Sequence, residues 1–74
     1  MILPTDNLRE RREAMGLNAL EFADAARCPV EVLVRLEMGE QLPREQYRPG
    51  LAEAYGLSVE DFLRLALDIA ERRV

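Results

Sequence analysis

The stretch ARCPVEVLVRLEMGE, residues 26–40, predicts a short amphipathic helix with a defined start and end. Pro29 suits a first helical turn, where its missing N–H is not needed, and Gly39 is a typical residue just beyond a helix. We therefore place helix three from about Pro29 to Met38. At 100° per residue its inward side comprises Pro29, Val32, Leu33 and Leu36. Its outward side comprises Glu31, Val34, Arg35 and Met38, with Val30 and Glu37 at one edge.

Two further helices are predicted on the N-terminal side of this stretch. Thr5 or Asp6 is the expected N-cap of the first, and Gly16 is its expected stop. Asn18 begins the second, because Glu21 three residues later completes a capping box. The predicted inward positions of helix two are Leu20, Phe22 and Ala23.

Two helices are also predicted on the C-terminal side. Pro49 opens a short fourth helix that ends at Gly56, and Ser58 caps a fifth that covers about residues 59–73. No run of useful length alternates apolar and polar residues with a period of two, which would indicate a strand. The sequence therefore predicts an all-α fold, a compact five-helix domain over residues 1–74.

The last predicted helix is apolar over a wide arc. One stripe consists of Phe62, Leu65, Ala66 and Ile69, and a neighbouring stripe consists of Leu63, Leu67, Ala70 and Val74. A single small core needs only one stripe, so the second is a candidate dimer surface. The alternative is that helix one and the N-terminal residues 1–3 cover both stripes.

The charge balance argues against a general nucleic-acid binder. All ten basic residues are arginines, fourteen residues are acidic, and the formal net charge is −4. Nonspecific affinity for nucleic acid comes from neutralised phosphates, so the total has the wrong sign. Residues 27–48 hold four arginines and four glutamates, so this neutral segment repels phosphates less than residues 1–26 or 49–74 do.

Histidine and cysteine, two residue types common in catalytic and metal sites, are scarce. There is no histidine, and the single cysteine, Cys28, can form neither an internal disulfide nor a metal site. We expect Cys28 to be a buried structural thiol. With no Gly-rich phosphate loop, no signal-peptide pattern and no long apolar run, we expect a cytoplasmic non-enzyme without cofactor, metal or membrane contact.

Small residues join helices two and three. Ala23, Ala25 and Ala26 allow the two helices to approach closely, and the short connection predicts a helix-turn-helix over about residues 18–38. The segments LRERREAMGLNALEFADAA, VLVRLEMGE, LP and LAEAYGLSVEDFL, within residues 8–63, resemble the Cro and phage-repressor (XRE) family. This resemblance implies a lambda-repressor-like fold whose third helix enters the major groove of double-stranded DNA.

The resemblance also implies a set of DNA contacts. It assigns phosphate contacts to Asn18 and Ala19 and further backbone contacts to residues 39–44. The implied base contacts are Pro29, Val30, Glu31, Val34 and Arg35. Three arginines that flank helix three, Arg27, Arg44 and Arg48, are candidates for phosphate contacts, or else ordinary surface charges balanced by Glu40 and Glu45.

The sequence departs from the family pattern at several positions. Ala19 replaces the usual glutamine and cannot donate to phosphate from its side chain. Arg27 replaces the usual turn glycine, which predicts a positive φ. Arg11 replaces an apolar residue, and Pro49-Gly50 interrupts the usual fourth helix, so we expect local adjustment there.

The outward face of helix three leaves its function open. Arg35 can bind guanine through two hydrogen bonds, or it can pair with Glu31 four residues earlier. Glu31 can hold Arg35, accept from a cytosine amino group, or repel phosphates. Val34 and Met38 form an apolar strip that suits thymine methyl groups or a protein.

Two functions follow from these alternatives. The first is a small DNA-binding transcriptional regulator, acting as a dimer. The second is a degenerate helix-turn-helix domain that binds a protein, as an antitoxin-like, anti-repressor or adaptor module with weak or no DNA binding.

Overall fold

The computed structural model describes residues 7–72, and within that range it contains five α-helices and no strand. The helices are α1 (Leu8–Ala14), α2 (Ala19–Ala26), α3 (Val30–Glu37), α4 (Arg48–Tyr55) and α5 (Val59–Arg72). A 3-10 turn, Glu45–Tyr47, leads directly into α4. The predicted all-α, five-helix fold is confirmed.

Local side-chain caps begin three of the helices. The Asn18 side chain accepts from the Glu21 amide at 2.8 Å, while the Asn18 amide donates to the Glu21 carboxylate at 3.0 Å, which is the predicted capping box. Ser58 Oγ accepts from the Asp61 amide at 3.1 Å, again as predicted. These contacts satisfy amides that have no partner inside a helix.

The cap of α1 differs from the prediction. Asn7 is the N-cap, and its Oδ1 accepts from the amides of Arg9 at 2.8 Å and Glu10 at 3.4 Å. Thr5 and Asp6, the predicted caps, lie outside the described residues. Asn7 fits the role because its extended backbone points its short side chain at the first turn.

One apolar core joins all five helices. Its fully buried large side chains are Leu8, Phe22, Leu33, Leu36, Leu51, Tyr55 and Phe62. The ring centroids of Phe22 and Tyr55 are 4.4 Å apart, and those of Tyr55 and Phe62 are 5.8 Å apart. These aromatic contacts connect α2, α4 and α5 in the middle of the core.

Two predicted inward positions are wrong. Leu20 is 68% exposed, because two residues of helix place it about 200° around α2 from the buried Phe22. Pro29 is exposed, because it is the N-cap of α3 and lies outside the helical projection. Val32 is half-buried, whereas Leu33 and Leu36 are buried as predicted.

The Pro49-Gly50 pair permits a close contact between α4 and α2. Pro49 lies in the first turn of α4, where no amide is required. A Cβ at position 50 would lie 2.5 Å from the carbonyl oxygen of Ala26, so only glycine fits without a shift of the backbone. The predicted end of this helix at Gly56 is confirmed, with φ 75°.

Candidate nucleic-acid interface

The turn between α2 and α3 is built around Arg27. Its φ of 59° and ψ of 46° are left-handed, as the sequence predicted. Two hydrogen bonds close the end of α2, from the Arg27 amide to the Asp24 carbonyl at 3.1 Å and from the Cys28 amide to the Ala23 carbonyl at 3.0 Å. This conformation is unfavourable for a residue with a Cβ, yet it starts α3 in its direction across the core.

A buried ion pair fixes the inner edge of α3. Glu37 accepts from Arg12 Nε at 3.0 Å and from Arg12 Nη2 at 3.0 Å, and their side chains are only 6% and 10% exposed. Tyr55 Oη donates to Glu37 at 2.7 Å, and Arg12 Nη1 donates to the Leu17 carbonyl at 2.8 Å. The two-point geometry and the extra bonds compensate for the loss of water around both charges.

The environment of this network shifts two pKa values. The hydrogen bond to Glu37 raises the pKa of Arg12 further above its ordinary value, against the opposing effect of burial. Burial, reinforced by the negative charge of Glu37, raises the pKa of Tyr55 well above that of a free tyrosine. Arg12 therefore remains charged and Tyr55 remains a hydrogen-bond donor.

The sequence carries a signal that Arg12 is buried and needs a partner. Arg12 follows the buried Leu8 by four residues, so it lies on the inward face of α1, where a charge requires a partner. We placed Glu37 only at an edge of helix three. Arg11 is also accounted for, because its Nε donates to the Tyr55 carbonyl at 2.9 Å and ties α1 to the end of α4.

The outward face of α3 has the predicted composition. Its exposed side chains are Glu31, Val34, Arg35 and Met38, and Val30 is half-buried at the edge. Within residues 7–72, no carboxylate oxygen lies within 4.0 Å of the Arg35 guanidinium. The intrahelical pair between Glu31 and Arg35 is therefore not formed, and Arg35 is available to another acceptor.

A cleft of about 180 Å³ separates α3 from the loop that follows it. The α3 side consists of Glu31, Val32 and Arg35, and the loop side consists of Gln41, Leu42, Pro43, Arg44 and Tyr47. Arg48 Nε donates to the Pro43 carbonyl at 3.1 Å and so holds the loop against α4. Arg44 is exposed, and the structure thus places two arginines and one glutamate around the cleft.

A second groove, of about 370 Å³, lies where α1, the start of α2 and α3 meet. Ala19, Val34 and Met38 contribute its apolar part, and Val34 and Met38 are 41% and 56% exposed. The polar part comes from Asn7, Arg9, Arg12 and Glu37. The strip predicted from Val34 and Met38 is therefore enlarged by Ala19.

The match to known proteins agrees with this geometry. A family model described as a helix-turn-helix domain matches residues 6–65. The chain belongs to this helix-turn-helix domain family.

A curated relative has a regulatory name. The chain is 38% identical over 58 residues to the HTH-type transcriptional regulator DdrOP3 of Deinococcus deserti. The match covers 78% of this chain and 45% of the relative, so the chain spans less than half of that protein. No solved structure matches the chain.

The second stripe of α5 in this helix-turn-helix domain is only partly covered. Leu63 packs against the core and Ala70 is half-buried, whereas Leu67 is 47% exposed. Val74, the fourth predicted member, lies outside the described residues. Leu67 is thus the most exposed apolar residue of the stripe within the described part of α5.

Cys28 lies between α2 and α3, half-buried against the apolar core. Burial raises the pKa of its thiol, which keeps it protonated and unreactive near neutral pH. Between residues 7 and 72, no three His, Cys, Asp or Glu side chains are grouped as a metal site. No helix described in this range is both long and apolar enough to cross a membrane.

Proposed function

We propose that this chain is a cytoplasmic DNA-binding transcriptional regulator of the XRE type, a single domain over residues 1–74 that inserts α3 into the major groove. The observation that carries the proposal is the state of Arg35. It is exposed on the outward face of α3, without a carboxylate within 4.0 Å among the described residues. A guanidinium in that position can meet a base edge without first breaking an ion pair.

The other candidate contacts divide by chemistry. Arg27, in the turn before α3, and Arg44, across the cleft from Glu31, are exposed and suit phosphates. The Asn18 side chain retains its Nδ2 donors, because the helix cap uses only its Oδ1. Arg48 already donates to the Pro43 carbonyl and holds the loop, so it is the weakest phosphate-binding candidate of the three flanking arginines. Val30 and Val34 suit thymine methyl groups.

A dimer is the form in which such a regulator reads two half-sites about one turn of DNA apart. The partly exposed stripe of α5, formed by Leu63, Leu67 and Ala70, is the surface we assign to a second copy. The regulatory name of the relative from Deinococcus deserti supports this function.

Selection from a pool of random duplexes at low salt tests the proposal. The chain should enrich a particular DNA sequence. The logarithm of its affinity should fall linearly with the logarithm of the salt concentration, with a slope of about −0.9 for each phosphate neutralised. Arg35→Ala should abolish the enrichment. Arg64→Ala is the matched control, because Arg64 is an exposed arginine on α5, paired with Glu60 and Asp61. Absence of both enrichment and salt dependence would overturn the proposal.

The second groove favours one alternative, a protein-binding module of the antitoxin-like, anti-repressor or adaptor kind. Ala19 and Val34, two positions where the resemblance implies DNA contacts, present apolar surface together with Met38. Under this alternative, Val34→Glu and Met38→Glu abolish capture of a partner while Arg35→Ala does not. If Arg35→Ala abolishes duplex binding and the two glutamate variants leave partner capture unchanged, the alternative is wrong.

A further inference from the structure

Glu31 is an unusual residue for the DNA-facing side of a helix. It lies in the first turn of α3, exposed, and borders the same cleft of about 180 Å³ as Arg35 and Arg44. The structure shows no hydrogen bond or ion pair from its carboxylate to another residue in the range 7–72. The carboxylate is therefore not occupied in holding Arg35.

The chemistry of the major groove restricts what a carboxylate can accept. Phosphates repel it, and most base-edge atoms are acceptors. The hydrogen-bond donors are the N4 amino group of cytosine and the N6 amino group of adenine, and carboxylates pair with the cytosine amino group. A carboxylate placed against DNA without such a donor is desolvated without a compensating hydrogen bond, which weakens binding.

The spacing of Glu31 and Arg35 matches the edge of a G·C pair. Guanine presents the acceptors O6 and N7 to an arginine, while its cytosine partner presents the N4 donor. Four residues of α-helix rise about 6 Å, and base pairs are about 3.4 Å apart along each strand. The two side chains thus reach the same base pair or pairs separated by no more than two steps.

We propose that Glu31 is a specificity-determining residue that selects a cytosine within two base pairs of the guanine bound by Arg35. This inference rests on the proposed DNA-binding function. Glu31 also excludes other sequences, because its charge meets no donor there and is repelled by the phosphates. The net charge of −4 lowers the affinity of the chain for DNA in general. Binding is then favoured only at sequences where a base amino group donates to the Glu31 carboxylate.

Parallel selection with the wild type and Glu31→Gln tests the inference. The wild type should enrich a cytosine close to a guanine. Glu31→Gln should change that cytosine to adenine, because glutamine pairs with the N6 and N7 of adenine, and should lose about 5- to 150-fold of discrimination for cytosine. Glu71→Gln removes the same charge from an exposed site on α5 and should keep the cytosine.

A chemical substitution in the DNA isolates the atom concerned. Replacing the selected cytosine by 2-pyrimidinone removes the N4 amino group and with it one Watson–Crick hydrogen bond to guanine, which affects both proteins. The contact to Glu31 is the difference between them, so the wild type should weaken at least about fivefold more than Glu31→Gln. An unchanged cytosine in the Glu31→Gln selection overturns the inference. So does a change confined to the guanine, which would make Glu31 a positioning residue for Arg35. If the wild type enriches no sequence at all, the proposed function itself fails, and this inference fails with it.

Discussion

At Arg27 the backbone holds an arginine in the left-handed conformation, φ 59° and ψ 46°, that favours glycine. A residue with a Cβ pays about 1–2 kcal/mol there. We expect Arg27→Gly to raise the free energy of unfolding by about 1 kcal/mol, after allowance for the greater chain entropy of glycine. Urea unfolding measures this change.

The same residue is proposed to contact a phosphate, so substitutions at Arg27 should affect the stability of the fold and the affinity for DNA differently. Arg27→Gly should weaken duplex binding while it stabilises the fold. The slope of log affinity against log salt concentration should become less negative by about 0.9. Arg27→Ala keeps the Cβ and removes the rest of the side chain, including the guanidinium, so it should show the same loss of binding without the gain in stability. Undiminished binding by both variants would contradict the phosphate contact.

A different residue-scale effect concerns the buried charge of Arg12. Glu37→Gln keeps a hydrogen-bonding group beside Tyr55 but leaves the guanidinium without a counterion at a site where the side chain is 10% exposed. We expect a loss of about 3–5 kcal/mol in the free energy of unfolding, measured in urea. Glu13→Gln breaks the exposed pair with Arg9 and should cost less than about 1 kcal/mol. Equal costs would show that burial of the pair has no energetic consequence.

At the scale of helices, the contact between α4 and α2 depends on Gly50. A methyl group there would lie 2.5 Å from the Ala26 carbonyl oxygen, so Gly50→Ala must push the helices apart. We expect a net loss of about 1–3 kcal/mol, although alanine is the better helix former by about 1 kcal/mol. Glu53→Ala, at an exposed position of the same helix, should change stability by less than about 0.5 kcal/mol. A stabilising Gly50→Ala would mean that the two helices can separate without cost.

For the molecule as a whole, α5 is the surface proposed for self-association. Leu67 is 47% exposed and adjoins the half-buried Leu63 and Ala70. We expect Leu67→Glu to convert a dimer to a monomer in sedimentation experiments, because it places a charge in an apolar contact. Unfolding of the monomer should change little, since Leu67 is already partly in water.

Leu20→Glu provides the matched control for this experiment. Leu20 is 68% exposed on α2, outside the stripe, so the same substitution there should leave the association state unchanged. Dissociation by both variants, or by neither, would remove α5 as the dimer surface.

Local signals in the sequence were sufficient for most helix boundaries and for the orientation of α3. Asn18 with Glu21, and Ser58 with Asp61, are contacts across three residues, so their geometry follows from helix formation alone. The exposed side of α3 followed equally from the 100° rotation between residues, once Leu33 and Leu36 were assigned to the core.

The failures came where the answer depended on distant parts of the chain or on an exact angle. The assignment of Leu20 to the core failed because one helical turn offers several apolar positions and only the packing of Phe22 shows which face is buried. The partner of Arg12 was missed because Glu37 lies 25 residues away. The local pattern shows that Arg12 needs a partner, but it does not specify which distant residue that partner is.

The sequence by itself determined the five helices and the membership of Glu31, Val34, Arg35 and Met38 in one exposed face, because each depends on neighbours within about one helical turn. The left-handed turn at Arg27 followed from the family resemblance, which places a glycine there. Only the tertiary structure decided that Glu37 is buried with Arg12 and Tyr55, and that Arg35 is not paired with Glu31. The burial of Glu37 is settled by the packing of α1, α3 and α4 together, which removes its charge and that of Arg12 from water. Glu31 and Arg35 stay in water on the surface of α3, where an ion pair gains little energy and is not held together.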